Sequence, residues 1–292
     1  MEKIDKIVFG DNQFFGINHR SQEKAEEMLK RFSDVHNILK VYDDAFDCGV
    51  KAVMLNSNDR AEEICQYFRD HKSQYGDLVW YPSVPYPHKY ANMVNELGIF
   101  PAINEVLFKG NSVGGMLSMI GKGATAALTK DAIKMMDMLL DVEFKIFRDL
   151  NVNTFFLLNP ITDLLLGYNV KDVFEHYCEY VRKKYKCNPG LITLNMPYLK
   201  SKLEEWGIDE VVICSSINAV GFNMHPSKEA YEKAIAENDS SKYQLMAMNV
   251  LASGSISVQE SFDYINSMNL QSVTFGASSK RHIQSSFDAI KI

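Results

Sequence analysis

The chain has 292 residues and a formal net charge of −6, with charged and apolar fractions of 23% and 46%, a composition able to bury a sizeable globular core. The acidic balance, without any block of Lys and Arg, excludes nucleic acid as the main partner, because backbone phosphates are neutralised by clustered cations. A small anionic molecule stays open as a partner. The opening MEKIDKIVFG lacks the apolar centre of a signal peptide and no apolar run reaches membrane-spanning length, so a cytoplasmic location and no membrane partner are expected. Five scattered cysteines with no C-x-x-C pair suggest neither a zinc site nor a disulfide framework, and no metal is expected.

Along the chain one pattern recurs: an amphipathic helical stretch, a Gly or Asn able to end it, a short apolar run, then a polar corner. The apolar runs are KIVFGDN (6–12), AVMLNSN (52–58), LVWYPSVPY (78–86), NTFFLLNP (153–160), GLITLN (190–195), EVVICSSIN (210–218), QLMAMNVLASG (244–254) and SVTFGASS (272–279). Between them stand helical patterns such as SQEKAEEMLKRF, DRAEEICQYFRDH, KDVFEHYCEYVRKKY, PYLKSKLEEWG, KEAYEKAIAEN, SVQESFDYINSMN and KRHIQSSFDAI. Gly49, Gly98 and Gly207 are placed to end helices in the left-handed conformation. Continuously apolar strands separated by helices belong to a parallel sheet covered on both sides. Eight such units predict an α/β fold, a (β/α)8 TIM barrel forming a single domain over 1–292. An open doubly wound sheet would announce itself with a G-x-G-x-x-G turn after the first strand, where this chain reads GDNQFFG.

One long interruption separates the third strand from its helix. Residues 98–130 carry five glycines between Gly110 and Gly123, which suits either a lid over the barrel mouth or an extension of its wall, followed by the helix DAIKMMDMLLDVEFKIFRDL. GGMLSMIGKGAT within it only approaches a phosphate loop, with five residues rather than four between Gly115 and Gly121.

Functional residues of such a barrel sit at the C-terminal ends of its strands. Those ends carry Asn12, Asn56, Asn159, Asn195, Asn218 and Asn249, six of the eight corners. An uncharged amide offers two donors and an acceptor, suited to hydroxyl-rich ligands and poorly suited to a hard metal. Turn formation and helix capping are the alternative use of the same residue type. The titratable groups near the mouth are Asp11, Asp59, Tyr86, His88, Lys89 and Asp163. Asp11 in the first corner, with Tyr86, His88 and Lys89 in VPYPHKY, forms the candidate acid–base set, with Asp59 and Asp163 in reserve. No Ser-His-Asp arrangement stands out, and His225 and His282 read as structural. In the last corner Ser278, Ser279 and Arg281 open a helix, an arrangement suited to phosphate, with Gly254 and Ser255 of the preceding corner beside it.

The closing segments SSINAVGFNMHPS, MAMNVLASGSIS and SVTFGASSKRHIQSSFDAI resemble the last units of the aldo-keto reductase superfamily, and AFDCGVKAVMLNS resembles its second helix–strand unit. The resemblance covers about half the chain. It implies that the seventh and eighth corners grip the phosphate end of a nicotinamide cofactor. The family's catalytic tetrad does not carry over: the second strand ends at Asn56 with no Tyr following in LNSNDRAEEI, LVWYPSVPY holds no Lys, and the fourth strand ends Leu158-Asn159-Pro160 where Leu-His-Pro is usual. The leading expectation is therefore a non-redox enzyme without cofactor, an isomerase or lyase acting by acid–base chemistry on a phosphorylated or nucleotide-linked polyhydroxy compound. The alternatives are an NADP-dependent oxidoreductase with a displaced proton donor and a non-catalytic ligand-binding barrel.

Overall fold

A computed structural model of the chain describes residues 1–15, 22–86 and 125–292. The strands are β1 (Ile7–Phe9), β2 (Ala52–Asn56), β3 (Val79–Val84), β4 (Asn151–Val152), β5 (Thr154–Leu157), β6 (Asn188–Thr193), β7 (Val211–Ser216), β8 (Tyr243–Met248) and β9 (Ser272–Phe275). All pairings are parallel, and β1 bonds to both β2 and β9, so the sheet closes on itself. The short β4 and β5 form one stave: both pair with β3, Val79 opposite Asn151 and Val84 opposite Leu157. Each of the eight apolar runs supplies one stave, and the expected closed barrel is the observed one.

Helices α1 (Gln22–Arg31), α2 (Val35–Asp47), α3 (Ala61–Asp70), α4 (Lys72–Tyr75), α5 (Thr125–Phe144), α6 (Asn159–Gly167), α7 (Lys171–Tyr180), α8 (Met196–Trp206), α9 (Lys228–Ala236), α10 (Val258–Asn266) and α11 (Lys280–Ala289) connect the staves. Their starts follow local chemistry. The side chains of Asp34, Asn195, Ser227 and Ser257 accept first-turn N–H groups, and Ser257-Val-Gln-Glu260 has the spacing of a capping box. Gly207 ends α8 at φ 71°, and Gly49 also takes positive φ, as expected; Gly98 lies outside the described residues. The helix expected over 131–150 instead ends at Phe144. There Phe144 stacks on Tyr185 at 3.9 Å, while Asp141 accepts from the Tyr180 and Tyr185 hydroxyls and from Lys184. This pair of contacts docks α5 on α7 where the chain rejoins the barrel. The glycine-containing stretch 98–130, expected as lid or wall, lies outside the described residues up to 124.

Period-two alternation decides which strand residues enter the barrel. Val8, Ala52, Met54, Tyr81, Phe156, Ile192, Val212, Cys214 and Met246 form its interior cluster together with Ile4, which comes from below. The opposite strand faces pack under the helices in a second, larger cluster. The lower end is sealed by residues 2–5. Asn188 and Gln244 bond the backbone of Glu2, Gln244 also accepts the Ile4 N–H, Asn153 donates to Lys3, and the Tyr81 hydroxyl accepts the Asp5 N–H at 2.8 Å. The lower end is thus closed by the chain itself.

Interior volume is matched stave to stave. A Cβ on Gly190 would stand 2.3 Å from the Phe156 ring and 2.7 Å from the Thr154 methyl. Gly190→Ala is expected to destabilise by about 1–3 kcal/mol through overpacking, and adding Phe156→Leu should recover part of the loss. Denaturant midpoints check this, and an unaffected Gly190→Ala protein would contradict the packing.

Candidate active site

Three neighbouring corners are tied together at the mouth. β1 is followed by Gly10, whose N–H donates to the Phe275 carbonyl at 2.8 Å. Asp11 follows, 5% exposed, and its Oδ2 accepts the backbone N–H of Asn56 at 2.8 Å. The Ser57 N–H donates to the Ser83 carbonyl, and the Ser57 hydroxyl accepts the N–H of Tyr86 at 3.0 Å. Corners one, two and three are thus linked, with Asp11 at one end and Tyr86 at the other.

Burial dominates the carboxyl at this place. Removal from water pushes the Asp11 pKa up to about 7, against the lowering effect of the Asn56 N–H and its own N–H. The Tyr86 phenol, half-buried, is also raised, first by burial and then by the charges of Asp11 and Asp59. Tyr86 lies beside Phe15, with ring centroids 6.5 Å apart. A carboxyl that exchanges its proton near neutrality and a phenol that keeps its own are a usable proton donor and a hydrogen-bond donor. His88 and Lys89 lie outside the described residues.

The corner asparagines divide by how their amides are used. Asn56 is buried, and its Oδ1 accepts both the N–H and the side-chain amide of Asn58, whose own Oδ1 accepts the Arg60 N–H at the start of α3. Asn195 caps α8 through Tyr198. Asn218 closes its loop with both ends of the amide, accepting from and donating to the Phe222 backbone at 2.8 Å each. Asn249 accepts the Ser253 N–H. Asn12 is exposed in a 3-10 turn, and Asn159 is partly exposed as the first residue of α6. One turn further, Asp163 accepts from Thr193 and from the Leu194 N–H at 3.0 Å; burial raises its pKa, opposed by these bonds and by His225.

The last two corners differ in what they leave open. Ala252, Ser253 and Gly254 all take positive φ, yet the N–H groups of Ala252 to Ser255 are bonded to Asn249 or Leu251, and the Ser255 hydroxyl donates to Ala252. At the final corner Arg31 donates to the Ser278 carbonyl at 2.7 Å. Ser279 is extended and its side chain makes no cap bond, so α11 opens without a capping side chain, with Arg281 exposed beside it. Among the described residues no cluster of three or more His, Cys, Asp or Glu could hold a metal ion, and no helix is long and apolar enough to cross a membrane.

Two side chains at the first corner escaped sequence reasoning. Tyr42 of α2 is fully buried, and neither its hydroxyl nor the Oε1 of Gln13 has a hydrogen-bond partner among the described residues. Tyr42 falls on the apolar face of its helix and reads there as core; nothing local marks its hydroxyl.

No protein-family model matches the chain, and no curated protein matches it by sequence. Solved structures do. An aldo-keto reductase from a Medee basin deep-sea metagenome library aligns over 100% of this chain and 87% of its own with a TM-score of 0.56 and 11% identity. An aldo-keto reductase of the silkworm Bombyx mori gives 0.56 at 12% identity over 98% of this chain and 79% of its own. The aldose reductase of Schistosoma japonicum gives 0.51 at 12% identity over 100% and 88%. The fold is that of the aldo-keto reductases. At such identities the likeness is one of fold, and it spans the whole chain.

The folded protein holds the Asp11 proton up to a pH of about 7, whereas the unfolded chain releases it near the ordinary 3.8. Stability therefore falls as pH rises between those values and is level above them. Asp11→Asn removes that dependence while keeping an acceptor for Asn56. Between pH ~4 and ~8 the variant should gain roughly 2–4 kcal/mol relative to the parent in denaturant unfolding. A difference that stays constant across that range would contradict a buried, shifted carboxyl.

Proposed function

We propose that the chain is an NADP-dependent oxidoreductase whose proton donor has moved from the second and fourth strand ends to the first and third, with Asp11 giving the proton and Tyr86 beside it. The observation that carries this reading is the burial of the Asp11 carboxyl at the end of the first strand, which pushes its pKa up to about 7. A carbonyl oxygen that gains negative charge during reduction needs a proton from a group of about that pKa. Asn56 and Asn159 stand where the resembling family keeps Asp and His, so they can orient a substrate hydroxyl or carbonyl without themselves transferring a proton. The likeness to structures described as aldo-keto reductases supports the redox reading over a non-redox one.

The residues present fit the phosphate end of a nicotinamide dinucleotide. The uncapped first turn of α11 offers backbone N–H groups and the positive end of the helix dipole, Arg281 adds a cation, and Ser278 and Ser279 add hydroxyls. Gly254 and Ser255 would contribute shape more than donors, since their N–H groups are used within their own turn. Bound there, the nicotinamide would supply a hydride. The chain's own part is to hold the substrate oxygen at Asp11, to exclude water from that carboxyl and to return a proton to it between turnovers.

A second reading rests on the same carboxyl. The asparagines at the tetrad positions also suit cofactor-free isomerisation or elimination of a phosphorylated polyhydroxy compound, with Asp11 shuttling a proton and the α11 corner holding phosphate. Nucleotide binding separates the two. NADP(H) at millimolar concentration should raise the thermal midpoint, and Arg281→Ala should weaken its binding by about tenfold or more. Reduction of an aldehyde panel, followed by NADPH oxidation, should fall about 100-fold or more in Asp11→Asn. Stabilisation by sugar phosphates but not by NADP(H) or NAD(H) would overturn the redox reading in favour of the second.

A further inference from the structure

The first corner contains a buried hydroxyl that the proposed chemistry does not use. Tyr42 lies on α2, packed edge-on against Phe9 at 6.1 Å and against Phe14 at 5.2 Å, the residues that bracket Asp11 in the chain. Its ring is held further by Phe46 and Phe68. The side chain is fully buried, and its hydroxyl makes no hydrogen bond among the described residues. An isolated buried hydroxyl costs stability, and phenylalanine would fill the same space without that cost.

Asp11 shows the complementary deficiency. In its neutral form one accepted N–H from Asn56, with its own N–H, is adequate. After proton release the carboxylate is left in a desolvated site with, among the described residues, those two backbone donors. Among the described residues, the titratable groups coupled to this corner are Tyr42 of α2, with Cys65 of α3, and Tyr86 after β3, with Asp59. None of these brings a positive charge, so a hydroxyl is the available donor. The negative charge of Asp11 reaches Tyr42 strongly enough to help hold its proton in place, after the effect of burial itself.

We infer that Tyr42 is a positioning residue for Asp11: its buried, otherwise unpaired hydroxyl donates to the Asp11 carboxylate when that group has lost its proton. No bond forms or breaks in Tyr42, which keeps its proton throughout. Its effect is to stabilise the ionised state and so set the pH at which Asp11 recharges. The inference rests on the assignment of Asp11 as proton donor for its catalytic meaning. Its structural content is tested without an assay.

The test is carboxyl-13C NMR of the full chain with labelled Asp, assigned by Asp11→Asn. In Tyr42→Phe the Asp11 proton affinity should rise by about 10- to 100-fold, the loss of one hydrogen bond to a charged group. In the unsubstituted protein the Tyr42 Cζ resonance should titrate with the same midpoint as Asp11. An unchanged Asp11 midpoint in a folded Tyr42→Phe protein would overturn the inference. If that variant does not fold, a Cζ resonance that stays flat through the Asp11 transition overturns it instead. Full turnover by Asp11→Asn, with the NMR coupling intact, would sink the catalytic reading and leave the Tyr42–Asp11 contact standing.

Discussion

A carboxyl group withdrawn from water at the end of the first strand is the constraint on which the rest of the mouth depends. Burying an ionisable group is costly unless it is neutralised or well bonded. Asp11 is given one neighbouring backbone donor, the Asn56 N–H, and that bond ties the first corner to the second. The same bond requires the end of β2 to stay in place, which the Asn56–Asn58–Arg60 relay into α3 secures. Burial here costs stability and raises the pKa of the carboxyl, a combination often found at functional sites.

The barrel supplies what makes that trade possible. Its interior is filled from below by Ile4 and across its middle by Tyr81, Phe156 and Met246, so no water column reaches Asp11 from beneath. Asn153, Asn188 and Gln244 bind the N-terminal segment at the lower end, where these polar side chains would otherwise be buried unpaired. Polar groups used for sealing gather at the lower end. At the upper end Asn159 caps no helix and α11 opens without a capping side chain.

The architecture was legible because strands such as β2, β6 and β7 are buried on both faces, which leaves short apolar runs such as 211–216 that only a covered parallel sheet explains. Helix α2 was less legible as an element, since VHNILKVYDDAFD begins directly after Asp34, close behind α1. The asparagine corners were legible as corners, but residue type could not separate an amide used to close a loop from one available to a ligand. Asn218, spent at both ends on Phe222, and Asn159, with no capping role, look alike in sequence. Tyr42 was illegible for a simpler reason: helical spacing marks its ring as core, and only its packing on Phe9 and Phe14, on either side of Asp11 in the chain, gives the hydroxyl a meaning.

The account stands on the protonation state of one residue, and a carboxyl-13C titration of Asp11 in the unsubstituted protein measures it directly. The midpoint is expected well above the ordinary aspartate range, towards the value of about 7 that burial sets against the two backbone donors. A midpoint in the ordinary range near 4 would mean that the carboxyl is charged at neutrality. It would then have no proton to give, and the proposed chemistry would lose its donor.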